Sequence, residues 1–385
     1  MKTILIVFGT RPEAIKLAPL ILLAKADNRF KTLVCSTGQH REMLKPILSF
    51  FEITPDYDLN LMSPGQTLTD VSTKTLNGID SILKSTKVDI VITQGDTTTG
   101  FAASLAAFYN QVSVAHVEAG LRSGNITSPF PEEFNRKAIS LIAKWHFPPT
   151  ELSRNNLINE GLPKRDIVVT GNTGIDALMR VRSIIENKPE LSKDLEKNFS
   201  FLDAQKKLIL VTLHRRESFG APMEEVMKGL LKLSERSDLQ FLIPVHLNPN
   251  VRQSISRVLG NKAQWVGSSN AEKKSSNIWL CEPVDYVPFI YLMMKAHIIV
   301  TDSGGVQEEA PSLGKPVLIA RENTERPEAI EAGTSMLVPL NEREFVAETL
   351  KVLDDGILYK RMSQSINPFG DGLASAKILD VLAQN

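Results

Sequence analysis

The chain has 385 residues, of which 42% are hydrophobic and 23% are charged, and this ordinary globular composition excludes an intrinsically disordered protein. Its 44 basic and 44 acidic side chains give a net charge of zero without any basic tail or stripe, which argues against nucleic acid as a partner. With two cysteines, Cys35 and Cys281, it lacks the residues for a disulfide framework or a thiolate metal site, so we expect a reducing compartment.

The first residues and the hydropathy of the rest predict a cytoplasmic protein. The N-terminal apolar run is too short for a signal peptide, because Gly9 and Arg11 follow at once. No stretch reaches 18 apolar residues, so we expect no membrane-spanning helix and no membrane partner.

The first part of the chain alternates short apolar runs with amphipathic segments of helical length. The apolar runs predict strands at 3–8, 31–36, 88–93, 112–117 and 167–170. The segments between them predict helices at 12–26, 40–51, 66–84, 97–109 and 131–144. Unbroken apolar strands alternating with helices are typical of a parallel sheet covered on both faces.

Residues 186–206 interrupt this alternation with a polar, charged connection in which we expect some helix. The alternation then resumes, with strands predicted at 208–212, 240–245, 277–280, 297–301 and 316–320. Helices are predicted at 222–236, 285–295, 304–313 and 342–354. The chain therefore contains two α/β arrays, and two such sheets facing each other would share one cleft at the carboxyl ends of their strands.

Two turns after predicted strands are candidate anion sites. Arg11 projects where the first helix begins, although a surface arginine on a plain turn is the alternative. No GxGxxG motif accompanies that turn, which weakens a dinucleotide-binding interpretation. The run Ser303-Gly304-Gly305 brings backbone N–H groups and a hydroxyl to a helix start, and the alternative is a simple glycine-rich turn.

Acidic side chains follow other strands. Asp96 is a candidate acid or base, or simply the N-cap of the next helix. Glu118, between an apolar strand and a glycine, favours a functional role. Glu132 and Arg136 share one helix face, as functional groups or as an ordinary ion pair. His214 ends the first strand of the second array beside two arginines, which fits an acid, a base or a phosphate donor.

The order and content of the motifs resemble one family closely, the bacterial non-hydrolysing UDP-N-acetylglucosamine 2-epimerases. The similar segments span residues 8 to 375 and read FGTRPEAIKLAPL, TGQHREML, QGDTTT, HVEAGLRS, PEEFNR, VTGNTGIDAL, LHRRES, PVHLNPNV, EPVDYVPFIYLM, TDSGGVQEEAPSLGKPVL, NTERPEAIEAGT and NPFGDGLAS. The resemblance implies an α/β, GT-B-like fold with two Rossmann-like domains facing across a central cleft. The N-terminal domain would comprise residues 1–170 with a terminal helix at about 372–384, and the UDP-binding domain residues 171–365. It also implies a homodimer without NAD, another cofactor or a metal.

The same resemblance assigns residues to three roles. Those implied for catalysis are Asp96, Glu118, Glu132, Arg136 and His214. Those implied for UDP are Arg11, Lys16, His214, Ser303, Gly304, Gly305, Glu309 and Arg326. A second UDP-N-acetylglucosamine molecule, acting as an activator, would contact Gln39, His40, Glu42, Lys74, Arg215 and His246. Some members carry Gln and Arg where this chain has Glu42 and Lys74.

The implied reaction is reversible epimerisation at C2 of UDP-N-acetylglucosamine, which supplies UDP-N-acetylmannosamine for cell-surface polysaccharides. No carbonyl acidifies the C2 proton, so we expect elimination of UDP to 2-acetamidoglucal followed by re-addition. The alternatives are a hydrolysing epimerase that releases N-acetylmannosamine and UDP, an epimerase of a related UDP-diacetamido sugar, a GT-B glycosyltransferase, and an inactive UDP-sugar-binding regulator.

Overall fold

A computed structural model describes residues 1–39, 41–63, 65–267 and 276–384, so that His40 lies outside the described residues. The chain divides into two compact units. Unit 1 is Met1–Arg180 with Phe369–Asn385, and unit 2 is Val181–Pro368. This division falls later than the boundary after residue 170 that the motifs imply. No described helix is both long and apolar enough to cross a membrane.

The strands and helices follow each other in strict alternation over most of the chain. The strands are β1 Lys2–Phe8, β2 Phe30–Ser36, β3 Tyr57–Asp58, β4 Ile90–Gln94, β5 Ser113–Val117, β6 Trp145–Phe147, β7 Lys207–Thr212, β8 Leu239–Pro244, β9 Gln264–Trp265, β10 Ile278–Cys281, β11 Ile298–Thr301, β12 Val317–Ile319 and β13 Ser335–Leu337. The helices are α1 Arg11–Ala26, α2 Arg41–Phe50, α3 Leu68–Ser85, α4 Thr98–Tyr109, α5 Glu132–Ile142, α6 Glu151–Asn159, α7 Thr173–Asn187, α8 Pro189–Asn198, α9 Ala221–Leu233, α10 Pro249–Leu259, α11 Tyr286–Lys295, α12 Gly304–Glu309, α13 Pro327–Glu331, α14 Glu342–Asp354, α15 Gly356–Gln364 and α16 Ala374–Gln384.

Unit 1 is built on a six-stranded parallel sheet in the order β3-β2-β1-β4-β5-β6. The central strand β1 is fully buried from Ile4 to Phe8, because helices cover both faces of the sheet. The last helix, α16, belongs to this unit, where the buried Asp176 accepts hydrogen bonds from the backbone N–H groups of Ala374 (3.0 Å) and Ser375 (2.7 Å).

Unit 2 repeats the architecture with seven parallel strands in the order β13-β12-β11-β7-β8-β10-β9. Its core joins side chains of β7, β8 and β11 to apolar faces of α9, α10 and α14. The prediction of two parallel, doubly covered sheets is therefore confirmed.

One predicted strand is wrong. Residues 167–170 form a single parallel bridge between Ile167 and His146 instead of a ladder. Two further backbone bonds run from Val168 N to His146 O (2.9 Å) and from Thr170 N to Pro148 O (3.2 Å), and the chain then turns into α7. The edge strand of this region is β6, whose three residues are too few to give a sequence pattern.

Candidate active site

In unit 1, the loops that follow β1 and β4 meet at the point where the strand order reverses. Such switch points are where open α/β sheets bind ligands. Glu13 ties the two loops together while almost fully buried. Its carboxylate accepts from Gly9 N (3.0 Å), Thr10 N (2.7 Å) and the Thr97 hydroxyl (2.6 Å). Burial raises the pKa of Glu13, and these hydrogen bonds act in the opposite direction.

Gly9 allows this close approach of the loops. A β-carbon at that position would lie 2.4 Å from the Thr37 hydroxyl oxygen and 2.5 Å from that of Thr99, too close for any other residue. The two hydroxyls lie 3.4 Å apart, and Thr99 donates to Gln39 Oε1 at 3.0 Å.

Glu118 directly follows β5 in a conformation that its residue type rarely adopts. Its φ is +61°, in the left-handed region, where a non-glycine residue is uncommon and strain is typical of functional sites. The side chain is 8% exposed, and Oε2 accepts from Lys16 Nζ at 2.5 Å and from Gln94 Nε2 at 2.6 Å. A cation and an amide thus hold this carboxylate in one orientation.

A second acidic group lies around Arg136. Its guanidinium binds Asp96 Oδ2 at 2.6 Å and Glu133 Oε2 at 3.1 Å, so its partners are not the Glu132 expected four residues earlier. Although burial alone would lower it, the two carboxylates raise the pKa of Arg136, which therefore remains a cation. Glu132, half-buried, is the first residue of α5.

The proposed N-cap role of Asp96 is wrong. The N-cap of α4 is Thr97, whose hydroxyl accepts from Gly100 N at 2.9 Å. The Asp96 carboxylate instead faces Arg136, so it is available for a functional role.

His116 holds the loop that follows β4, which contains Asp96. Its ring is fully buried, and Nε2 donates to the carbonyl oxygen of Gly95 at 2.7 Å. Burial lowers the pKa of His116 to about 3, which keeps the ring neutral. The neighbouring His146 is also buried.

In unit 2, the loops that follow β7 and β11 meet at the corresponding reversal of strand order. Asp302 joins them from a fully buried position: its Oδ2 accepts from the backbone N–H groups of His214 and Arg215, each at 2.8 Å. Its Oδ1 lies 3.4 Å from His214 Nδ1. The imidazole of His246 stacks on that of His214, with ring centres 5.6 Å apart.

Two arginines face the glycines that begin α12. A β-carbon built on Gly304 would lie 3.7 Å from Arg326 Nη2 and 3.8 Å from Arg215 Nη2. Arg326 also pairs with the buried Glu308. A pocket of 220 Å³ adjoins them, and its lining includes His214, His246, Ser303 and apolar side chains. Clustered cations beside a small pocket suit an anionic ligand with an attached organic group.

The other predicted residues are distributed over both units. Arg11, Lys16, Gln39, Glu42 and Lys74 belong to unit 1, whereas Glu309, the last residue of α12, belongs to unit 2. Lys74 Nζ donates to the Ser63 hydroxyl at 2.9 Å, and Glu42 is exposed and pairs with Lys45. In unit 2, Arg215 and His246, implied for an activator, adjoin Gly304 and His214, implied for UDP.

Sequence reasoning did not single out Gln94, Glu133 or Asp302. Gln94 is the last residue of a buried strand, and Asp302 follows one immediately, as Glu118 does. The same placement rule could have found both. Glu133 is buried with no exposed surface beside the Glu132 that we chose, and adjacent identical residues leave no signal to separate them. Among the described residues, no group of three or more His, Cys, Asp or Glu is placed to hold a metal ion.

Comparison with known proteins places this architecture in a class. A solved UDP-GlcNAc 2-epimerase from Neisseria meningitidis bound to UDP-GlcNAc is 46% identical, with all of both chains covered and a TM-score of 0.87. A Methanocaldococcus jannaschii UDP-GlcNAc 2-epimerase in complex with UDP-GlcNAc and UDP is 33% identical, with both chains fully covered and a TM-score of 0.76. The fold is thus the GT-B-like α/β fold of these enzymes.

The sequence comparison is equally extensive. The family model described as UDP-N-acetylglucosamine 2-epimerase matches residues 23–383. A UDP-N-acetylglucosamine 2-epimerase of Salmonella typhimurium is 50% identical over 380 residues, 98% of each chain. The chain therefore belongs to the UDP-N-acetylglucosamine 2-epimerase family.

Proposed function

We propose that the chain interconverts UDP-N-acetylglucosamine and UDP-N-acetylmannosamine by eliminating UDP and adding it back. Relatives that carry the name of this activity are about half identical over nearly the whole chain. The mechanism is supported above all by the state of Glu118. Its backbone is strained, and its buried carboxylate is held by Lys16 and Gln94.

The chemistry of the substrate sets what the protein must supply. The C2–H bond is not adjacent to a carbonyl, so removal of its proton alone would leave an unstabilised carbanion. If the C1–O bond breaks as a base takes the C2 proton, the electron pair forms the C1–C2 double bond and UDP departs. Protonation of the opposite face at C2 and return of UDP to C1 complete the epimerisation. These reaction steps consume no oxidant and no water.

We assign the proton transfers to unit 1 and the leaving diphosphate to unit 2. Glu118, Asp96 and Glu132 are the candidate acid and base groups, and Arg136 orients Asp96 through their 2.6 Å ion pair. His214 and Arg326, with Ser303, Gly304 and Gly305, supply donors and positive charge for a diphosphate. We add Arg215, which the resemblance implies for the activator, because its guanidinium lies beside Gly304. Arg11 and Lys16 of unit 1 complete the proposed UDP set. Glu309 is proposed to accept from the ribose hydroxyls.

Incubation with UDP-N-acetylglucosamine in D₂O tests this proposal by NMR. We expect the manno epimer to form without added NAD and both recovered UDP-sugars to carry deuterium at C2. Epimerisation with the C2 hydrogen fully retained contradicts elimination. Accumulation of free N-acetylmannosamine identifies the hydrolysing reaction, and turnover confined to a diacetamido sugar identifies the related substrate.

We also propose that a second UDP-N-acetylglucosamine molecule activates the enzyme through Gln39, Glu42, Lys74, Arg215 and His246. His40, which lies outside the described residues, is part of the same proposal. The activator would act by binding the active conformation more tightly than the inactive one. Forward kinetics should be cooperative, and pure UDP-N-acetylmannosamine should react only after a trace of UDP-N-acetylglucosamine is added. Hyperbolic kinetics with an unaided reverse reaction would refute the activator site.

Finally, we propose a homodimer that provides UDP-N-acetylmannosamine for cell-surface polysaccharides. The dimer proposal is supported by large apolar side chains exposed on α4 and α5, namely Phe108, Tyr109 and Leu141. Light scattering should give twice the chain mass for the wild-type protein and a lower mass for Leu141→Asp. A wild-type monomer would exclude the dimer.

A further inference from the structure

Asp302 has more acceptor capacity than the loops of unit 2 use. Its Oδ2 receives two backbone N–H groups, those of His214 and Arg215. Its Oδ1 is buried and has no hydrogen-bond partner among the residues that the structure describes. A buried carboxylate oxygen without a donor is costly, so a partner is expected in the working state of the protein.

The imidazole of His214 is placed to become that partner. Its Nδ1 lies 3.4 Å from Oδ1, and a small ring rotation would shorten the distance to the roughly 2.8 Å of a charge-assisted hydrogen bond. The carboxylate can only accept, so Nδ1 must carry a proton. The opposite ring nitrogen, Nε2, then either bears a lone pair, in the neutral ring, or donates, in the imidazolium.

We propose that Asp302 is a positioning residue that fixes the proton of His214 on Nδ1, so that an anion is bound through Nε2 only by the imidazolium. This inference rests on the proposed function, in which His214 contacts the diphosphate of UDP. A phosphate oxygen would repel the Nε2 lone pair of the neutral ring, whereas the imidazolium offers both a donor and a charge. Between the pKa of His214 in the free protein and that in the complex, binding of UDP should therefore take up as much as one proton.

The charged groups around the imidazole of His214 determine the pH range over which UDP binding changes. Burial lowers the pKa of His214, the Asp302 carboxylate opposes that effect, and the neighbouring His246 and Arg215 add to it. Glu217 raises it. A bound diphosphate raises the pKa of His214 above its value in the free protein, so the affinity for UDP is highest below the pKa of the free protein. The affinity falls as the pH rises from there to the pKa of the complex.

Calorimetric titration with UDP alone, between pH 5.5 and 8.5, tests the proposal without turnover. For the wild-type protein, the dissociation constant should rise about tenfold per pH unit above the pKa of His214 in the free protein, and it should level off above the pKa of His214 in the complex. The terminal phosphate of UDP titrates near pH 6 and is common to every variant, so differences between variants report the protein.

Asp302→Asn is the informative change. The two backbone N–H groups require an acceptor, so the amide oxygen takes the place of Oδ2 and the NH₂ group faces His214 Nδ1. Nδ1 must then accept, which moves the proton to Nε2 and gives a neutral donor toward the ligand. We expect this variant to bind UDP about tenfold more weakly than wild type at pH 6, with a dissociation constant that no longer follows the titration of His214.

Two further variants of the protein serve as controls in this test. Thr301→Val removes hydroxyl contacts to Ser303 N (3.0 Å) and Thr212 (2.7 Å) in the same loops, and it should retain the wild-type pH dependence. His214→Gln cannot titrate and should reproduce the flat profile of Asp302→Asn. Long-range ¹H–¹⁵N spectra of the six histidines, with His214 assigned by its loss in His214→Gln, should show Nδ1 protonated in wild type and Nε2 in Asp302→Asn.

The outcomes separate this inference from the proposed function. UDP binding with the same pH dependence in wild type and in either Asp302→Asn or His214→Gln overturns the role of Asp302 and leaves UDP binding intact. An unchanged tautomer in Asp302→Asn overturns it as well. A wild-type protein that does not bind UDP refutes the proposed function itself.

Discussion

In each unit, one buried acidic side chain joins the two loops at the point where the strand order reverses. The two side chains differ in how many of their carboxylate oxygens the loops occupy. In unit 1, both oxygens of Glu13 are engaged, Oε2 with the turn after β1 and Oε1 with Thr97 after β4. In unit 2, Asp302 uses one oxygen for the loop after β7 and leaves the other beside His214.

This difference indicates that Glu13 and Asp302 have different roles. Glu13 serves the loops alone, and the proposed acid and base groups of unit 1 come from elsewhere, after β4 and β5 and on α5. Asp302 serves the loops and also the side chain that we propose to hold the leaving UDP. We therefore expect changes in unit 1 to affect turnover or folding, and changes around Asp302 to affect UDP affinity.

The largest effect should come from the proposed proton-transfer groups. Glu118→Gln, Asp96→Asn and Glu132→Gln should each lower kcat by about 10²-fold or more, the usual contribution of a positioned acid or base, while UDP affinity changes far less. Steady-state kinetics and UDP titration check this, with the exposed Glu151→Gln as a control that retains activity. Near-normal turnover in all three variants would show that the site is assigned wrongly.

Glu13 should matter for folding and not for the pH dependence of UDP binding. Glu13→Ala leaves the buried N–H groups of Gly9 and Thr10 without an acceptor, and we expect a loss of about 3 kcal/mol in the free energy of unfolding. Burial raises the pKa of Glu13, so the stability that it contributes falls as the pH rises through its folded pKa. Glu13→Gln, neutral and still an acceptor, should therefore cost much less in denaturant unfolding. Equal losses for the two variants would contradict this account.

Arg215 should contribute to affinity for the diphosphate. A hydrogen bond to a charged group contributes about 1.5–3 kcal/mol, so Arg215→Gln should raise the dissociation constant for UDP roughly 10- to 100-fold. The adjacent Arg216 is exposed and provides the matched control, since Arg216→Gln should bind UDP normally. If both variants bind equally well, the cation cluster at Gly304 does not hold the diphosphate.

The smallest effect concerns the buried histidine of unit 1. With a folded pKa of about 3, His116 destabilises the protein as the pH falls below about 6.5, because the unfolded chain takes up the proton first. Between pH 6.5 and 5 the free energy of unfolding should fall by about 2 kcal/mol through this residue. In His116→Gln the dependence on pH should be shallower by that amount, as measured by chemical unfolding at the two pH values. An unchanged slope would mean that the ring is already charged.

Most of the buried strands and several site residues could be predicted from the sequence, and particular residues show why the others could not. Apolar runs such as 3–8, which the structure shows as Lys2–Phe8, indicate the buried strands, because a strand covered on both faces contains few polar residues. Glu118 and His214 were found because they follow such strands. The run 167–170 failed because backbone pairing depends on neighbours that are distant in the chain.

The partners of the site residues could not be predicted in the same way. Arg136 had two acids near it in sequence, Glu132 and Glu133, and the structure selects Glu133 together with Asp96, 40 residues away. Asp302 was overlooked because its role depends on two backbone N–H groups nearly 90 residues earlier in the chain. Such contacts follow from strand order, which no single motif encodes.

Breakage of the C1–O bond is the central claim, and positional isotope exchange tests it most directly. UDP-N-acetylglucosamine would carry ¹⁸O in the oxygen that joins C1 to the β-phosphorus. Elimination frees the β-phosphate to rotate while it is bound, so ³¹P NMR should detect label in non-bridging positions of the recovered UDP-sugars. Wild-type enzyme that forms the manno epimer with the label still entirely in the bridge would contradict the elimination of UDP.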